Sequence, residues 1–235
     1  MDHDVIRARF KSLAEKYAHV RHFNDPGNCF VLRPTLSDVE VREFERRFQI
    51  TLPKAYRDFL TNIGNGSHGP SYEIFPLGWL EARCWDTSEV HPKGPFPHVA
   101  AWNLPKEFLE SLEETQDPQK EQQLFEHYWK PEITKGSVPI SDLGCGSQLL
   151  LIVDGPQAGH IWKDCRADHL GILPLLDDTR APMTFETWLH HYLEKAERVP
   201  LNPTSKVQAK WSDWLVFLFV ALMMLVFWYW MRYQK

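Results

Sequence analysis

Seventeen consecutive residues without a charge, Trp214–Trp230, restrict this chain more than any other feature in it. As a helix they would measure about 25 Å at 1.5 Å per residue. A bilayer core is about 30 Å thick and usually takes about 20 residues, and Trp211 and Met231 extend the run toward that length. A helix apolar on every side is either buried in a large core or set in a membrane. Trp211 and Trp214 stand at one end, and Trp228, Tyr229, Trp230 and Tyr233 at the other, where amphipathic rings sit at headgroup level. The expectation is a membrane-spanning helix over 211–231. Trp214, Leu215, Phe217, Phe219, Leu222, Leu225, Phe227, Trp228 and Trp230 would anchor it, with a short basic tail at 232–235.

Lys195, Arg198, Lys206 and Lys210 precede the run, and Arg232 and Lys235 follow it. The positive-inside rule then places the N-terminal body in the cytoplasm, held to a membrane by its C-terminal run. The opening "MDHDVIRARFKSL" has no long apolar stretch of the export-signal kind. Cys29, Cys84, Cys145 and Cys165 show no tight pairing pattern and read as free thiols of a reducing compartment.

Without residues 211–235 the body keeps 24 Lys and Arg against 30 Asp and Glu, a net charge of −6. A mildly acidic body argues against nucleic acid as the direct ligand, since phosphate binding needs a basic footprint. It suits a basic protein partner. About 200 residues make one domain, or one with an insertion.

Apolar spacing predicts a helix over 3–23, with Val5, Ile6, Phe10, Leu13, Ala14, Tyr17 and Val20 inward. "CFVLRP" reads as a short strand. Ser37 and Glu40 form a capping box at the head of a second helix with Val41, Phe44 and Phe48 inside. A third helix has Pro53 in its first turn and Gly64 past its end. "YEIFPL" reads as a strand. Residues 84–130 read as an insertion, proline-rich at first and then carrying two short polar helices. Leu149–Val153 is a strand apolar on both faces, hence central. "HIWKDC" returns from it, "GILPLL" is a further strand, and a last helix opens at Thr184 with Phe185, Trp188, Leu189, Tyr192 and Leu193 buried. Helices, then a mainly antiparallel sheet, then a helix make the fold class α+β. The body is 1–198, and 199–210 links it to the span.

Two stretches carry a resemblance. One is "SDVEVREFERRFQITLPKAYRDFLTNIGNGSHG"; the other is "VPISDLGCGSQLLLIVDGPQAGHIWKD" followed by "MTFETWLHHYL". Together, over roughly 36–80 and 137–194, they resemble the SUKH superfamily, in the bacterial branch similar to the yeast Smi/Knr cell-wall regulator. The resemblance implies a curved antiparallel sheet flanked by helices, and a binding module in place of an enzyme. Bacterial members are commonly immunity proteins that neutralise a toxin, often a nuclease. The yeast relative implies an alternative, an adaptor in envelope synthesis or secretion. The 84–130 insertion and the C-terminal apolar run depart from the plain family pattern.

Catalytic and metal chemistry find little footing. Cys165 and His169, with His160 and Cys145 nearby, lack the paired spacing of a structural zinc site, and the adjacent His190 and His191 diverge on a helix. There is no GxSxG motif. "GCGS" at 144–147 lacks the lysine and helix of a phosphate loop. No cofactor is expected. The stretch from 142 to 178 holds Asp142, Asp154, Asp164, Asp168, Asp177 and Asp178 against Lys163 and Arg166, a local net of −4, with Trp162 among them. Carboxylates around an aromatic anchor suit a basic partner, because charge steers encounter and the ring supplies burial. The competing reading is that aspartates gather in turns, where they bond their own backbone, and that Trp162 is core. Glu73, Trp79 and Trp102 join the candidate partner surface.

Overall fold

The capping pattern read from the sequence sets where the helices start. In the computed structural model, which describes residues 1–18, 20, 28–69, 72–78, 92–114, 119, 122 and 126–200, α1 is His3–Lys16. Its first amides, those of Asp4 and Val5, donate to the Asp2 carboxylate. The α2 helix (Asp38–Phe48) opens on the full Ser37/Glu40 capping box. The α3 helix (Lys54–Asn62) follows Pro53, whose fixed φ suits a helix start. Then come β1 (Ser67–His68), β2 (Glu73–Ile74), α4 (Lys106–Glu114), β3 (Ser137–Gly144), β4 (Ser147–Ile152), β5 (Ile161–Cys165), β6 (Gly171–Pro174) and α5 (Phe185–Arg198). A box between Thr184 and Thr187 opens α5.

The six strands form one antiparallel sheet in the order β1-β2-β3-β4-β5-β6. The expected α+β class is the one observed. Leu149 pairs with Lys163, Leu150 with Trp162 and Leu151 with Ile161; residues paired in this way share a sheet face. One face carries Leu150, Ile152, Trp162 and Ile172, which pack with Phe96, Trp102 and Ile133. Phe96 and Trp102 of the insertion, with the turn Pro131–Ile133 after it, therefore form a second layer on this face. The other face, with Leu149, Leu151 and Ile161, is equally buried and lies on the helical side. There Phe10 packs tilted on Phe59, and Phe59 and Tyr56 both meet Phe185 edge-on.

Both outer strands are covered. Cys29 and Leu32 bridge to β1. At the far edge Trp102 and Ile172 exchange two backbone hydrogen bonds of 2.8 Å. Gly171 makes this possible: its φ is +79°, and a Cβ there would collide with the Trp102 carbonyl. An unpaired edge invites pairing with another chain, so the Trp102 segment closes the sheet as well as covering it.

Four expectations change. The first helix stops at Lys16, short of 23, and residues 19 and 21–27 lie outside the described ones. "CFVLRP" gives two isolated bridges in place of a strand, because Phe30 takes a left-handed φ of 61° that interrupts extension. The strand in "YEIFPL" shrinks to Glu73–Ile74. Val5 was expected inside and is exposed; Ile6, Phe10 and Leu13 are the buried positions of α1. The proposed membrane helix lies outside the described residues. Among those described, no helix is long and apolar enough to cross a membrane.

The contacts of α1 with α5 advance in the same direction along both helices. Arg9 holds Glu197 at 2.7 Å, and the Lys16 ammonium donates to the carbonyls of Ala196, Glu197 and Val199. These are carbonyls that a helix C-terminus leaves without intrahelical donors. Replacing Ser37 with Ala should cost about 1 kcal/mol through loss of the α2 cap, and Lys16→Met should raise amide exchange selectively in the last turn of α5. Chemical denaturation and hydrogen exchange check the two.

Candidate functional site

The six aspartates do not form one face. The strand register divides them between the two ends of β4, which six residues make roughly 20 Å long. Asp142, Gln148 and Asp164 lie in register across β3, β4 and β5, and Asp168 follows in a 3-10 turn, Arg166–Asp168. Asp154, Asp177 and Asp178 lie at the opposite end, beyond β4 and β6.

At the first end, charge is already spent. Arg166 is 6% exposed, and a buried guanidinium needs a partner. Its Nε donates to Asp164 Oδ1 at 2.9 Å and its Nη2 to Oδ2 at 2.6 Å, the two-pronged geometry that suits a carboxylate. Its Nη1 donates to the Tyr128 carbonyl at 2.6 Å, and the Trp129 ring lies 4.8 Å from the guanidinium carbon. Asp164 thus ties the insertion to the sheet. Asp168 accepts from the buried Ser147 hydroxyl at 2.7 Å. Tyr128 donates to Asn103, and Asn103 donates to the His169 carbonyl. Burial pushes the Tyr128 phenol up to about 12.

At the second end, Asp177 folds onto its own loop. It accepts from the amides of Thr179 and Ala181 and from the Thr179 hydroxyl. Those bonds, led by the hydroxyl, hold its carboxyl below the ordinary range. The turn reading of the aspartates describes this residue. Asp154 and Asp178 are exposed.

Two candidate anchors belong to the interior. Trp162 is 2% exposed and meets Phe96 edge-on at 5.0 Å; it has no surface to offer a partner in this structure. Glu73 is 6% exposed and paired with Arg33 at 2.8 Å. The Arg33 Nη2 also donates to His68 Nε2 at 2.7 Å, and the His68 Nδ1 side faces Glu73 at 3.5 Å. That network pins the β1–β2 hairpin to the segment before α2. Trp102 is half-buried between the sheet edge and the rings of His98 and Tyr128. Trp79 lies outside the described residues.

Cys165 is buried, and burial pushes its thiol up, which suits packing better than nucleophilic chemistry. Cys145 is exposed in the β3–β4 turn with a φ of 53°. His190 meets Arg9, and His160 faces the Gln157 carbonyl. Among the described residues, no group of three His, Cys, Asp or Glu could hold a metal.

The sequence reading passed over Trp129 and Leu170, which are 39% and 56% exposed. Trp129 lies on Arg166, and Leu170 follows the 3-10 turn that Arg166 opens. Both therefore stand at the Asp164–Asp168 end of the sheet. No periodicity marks them, because each sits at an element end.

The chain belongs to the SMI1/KNR4 family (SUKH-1), whose model matches residues 35–178. Domains of this family are typically immunity or regulatory proteins, not enzymes. No curated protein matches the chain. The matched stretch takes in the whole sheet and the insertion, while α1 and α5 lie outside it.

Removing one partner of a buried pair leaves the other uncompensated, at about 3 kcal/mol or more. Asp164→Asn should cost about that much in urea titration. Asp154→Asn should stay within about 0.5 kcal/mol, as an exposed substitution does. Trp162→Ala should cost about 3 to 5 kcal/mol, as a core deletion does.

Proposed function

We propose that this protein is an immunity protein, which binds a protein toxin stoichiometrically and blocks it without chemistry. The family match over 35–178 carries the reading. The surface we assign to the partner is the sheet end that holds Asp142 and Asp168, with Trp129 and Leu170 as its apolar contacts. Two exposed apolar side chains beside carboxylates fit a basic protein surface: the carboxylates steer and the ring is buried on docking. A nuclease, basic where it holds nucleic acid, is such a partner. The C-terminal run Trp214–Trp230 would hold the inhibitor at the membrane with its body on the cytoplasmic side. Tethering raises the local concentration where a toxin enters, with no new contacts.

Co-expression of the full chain with the toxic domain encoded beside its gene should restore growth. Trp129→Ala combined with Asp168→Lys should weaken binding by roughly 30-fold or more, the scale of a hot-spot loss of about 2 kcal/mol. Failure to rescue, together with stable co-purification of resident envelope or secretion proteins, would overturn the immunity reading in favour of an adaptor.

A further inference from the structure

His98 occupies the seam between the insertion and the sheet. It is 8% exposed. Its ring lies 5.1 Å from Phe96, 5.3 Å from Trp102 and 6.4 Å from Trp162, centroid to centroid. Its Nε2 stands 2.8 Å from the Ile133 carbonyl oxygen. A carbonyl only accepts, so Nε2 carries the hydrogen and the neutral ring closes a contact between the insertion and the turn Pro131–Ile133 that follows it. The charged groups that face it are Arg166 and Asp164, on β5 and the turn after it, and they are committed to each other. From the insertion's own side comes the Tyr128 phenol, which stays neutral far above physiological pH. Phe96, Trp102 and Trp162 bring no charge.

We propose that His98 is an acid-sensitive latch: neutral, it holds the insertion on the β4–β5–β6 face, and protonated, it loosens that layer and uncovers the apolar sheet. The added proton would sit on Nδ1, inside an aromatic cage beside a guanidinium. The carboxylate that could receive it, Asp164, already makes both of its strong bonds to Arg166. Aromatic faces favour a cation, and Trp102 and Trp162, 32° and 34° from the imidazole plane, offset part of the cost of charging it; Phe96 meets the ring edge-on at 78° and does not. Burial first, and Arg166 with it, hold the His98 pKa below its ordinary value. The pKa is thus depressed in the docked state, so the contribution to docking is full above the free value of about 6.5 and is lost as pH falls from there through the docked value. Opening would expose Leu150, Ile152, Trp162 and Ile172.

The test is hydrogen exchange of the full chain, corrected for intrinsic rates. The Trp102 and Ile172 amides report the seam, because each donates across it. Their protection should fall, by up to about tenfold, between pH 7.5 and pH 5.5, the ceiling a free pKa near 6.5 sets. Protection of the Tyr56 and Leu60 amides in α3 should stay constant over the same range. In His98→Phe the pH dependence should vanish; His98→Gln, which keeps a donor for Ile133, should behave likewise. In the wild type, the midpoint of the His98 ring titration by NMR must lie below about 6.5, where the loss of protection levels off. Unchanged wild-type protection, a ring midpoint at or above that value, or the same fall in either folded variant would overturn the latch.

Discussion

A strand apolar on both faces cannot rest at the edge of water, and β4 is such a strand. Leu149, Leu150, Leu151 and Ile152 are all buried, alternately on opposite faces. Fully burying a side chain of this kind contributes about 1.5 to 3 kcal/mol, and neither face yields that without a cover. The helices cover one side. On the other the chain uses the insertion, whose Phe96 and Trp102 complete the cluster with Ile133 just after it. A plain sheet-and-helix arrangement would leave that face wet.

The second cover also decides what the charges do. The insertion needs attachment, and a buried arginine reaching the Tyr128 carbonyl supplies it. Arg166 in turn needs a counter-ion, which takes Asp164 away from the surface. Asp177 is drawn into its own turn, and Glu73 into the β1–β2 hairpin with Arg33 and His68. An acidic stretch thus has fewer carboxylates to present than its count suggests. The proposed binding end depends on the same attachment, because the Arg166 guanidinium carbon lies over the Trp129 ring at 4.8 Å.

The fold was largely legible because its signals are local. The Ser37/Glu40 box, Pro53 before α3, the Thr184 cap and the apolar run of β4 each state one element in consecutive residues. Phe30 shows where local reading fails: β-forming neighbours predict a strand, and a left-handed residue breaks it. The site was far less legible. Trp162 looks like an anchor when counted among aspartates, yet its partner across the ladder is Leu150, and register is not visible in the chain. Asp164 and Arg166 are two apart in sequence, but nothing there shows that Tyr128 and Trp129 close over them. Trp102 reads in sequence as an aromatic side chain, and its backbone matters as much, pairing with Ile172 at the sheet edge.

The central claim is that the insertion is an integral layer of the domain and not an appendage. The most direct measurement is equilibrium urea unfolding at pH 7.5 with fluorine labels at two places, one on Trp102 in the insertion and one on Phe59 beneath the helices. A shared layer predicts coincident transitions with one midpoint and one slope. An earlier, separate transition at Trp102, with Phe59 still native, would contradict it.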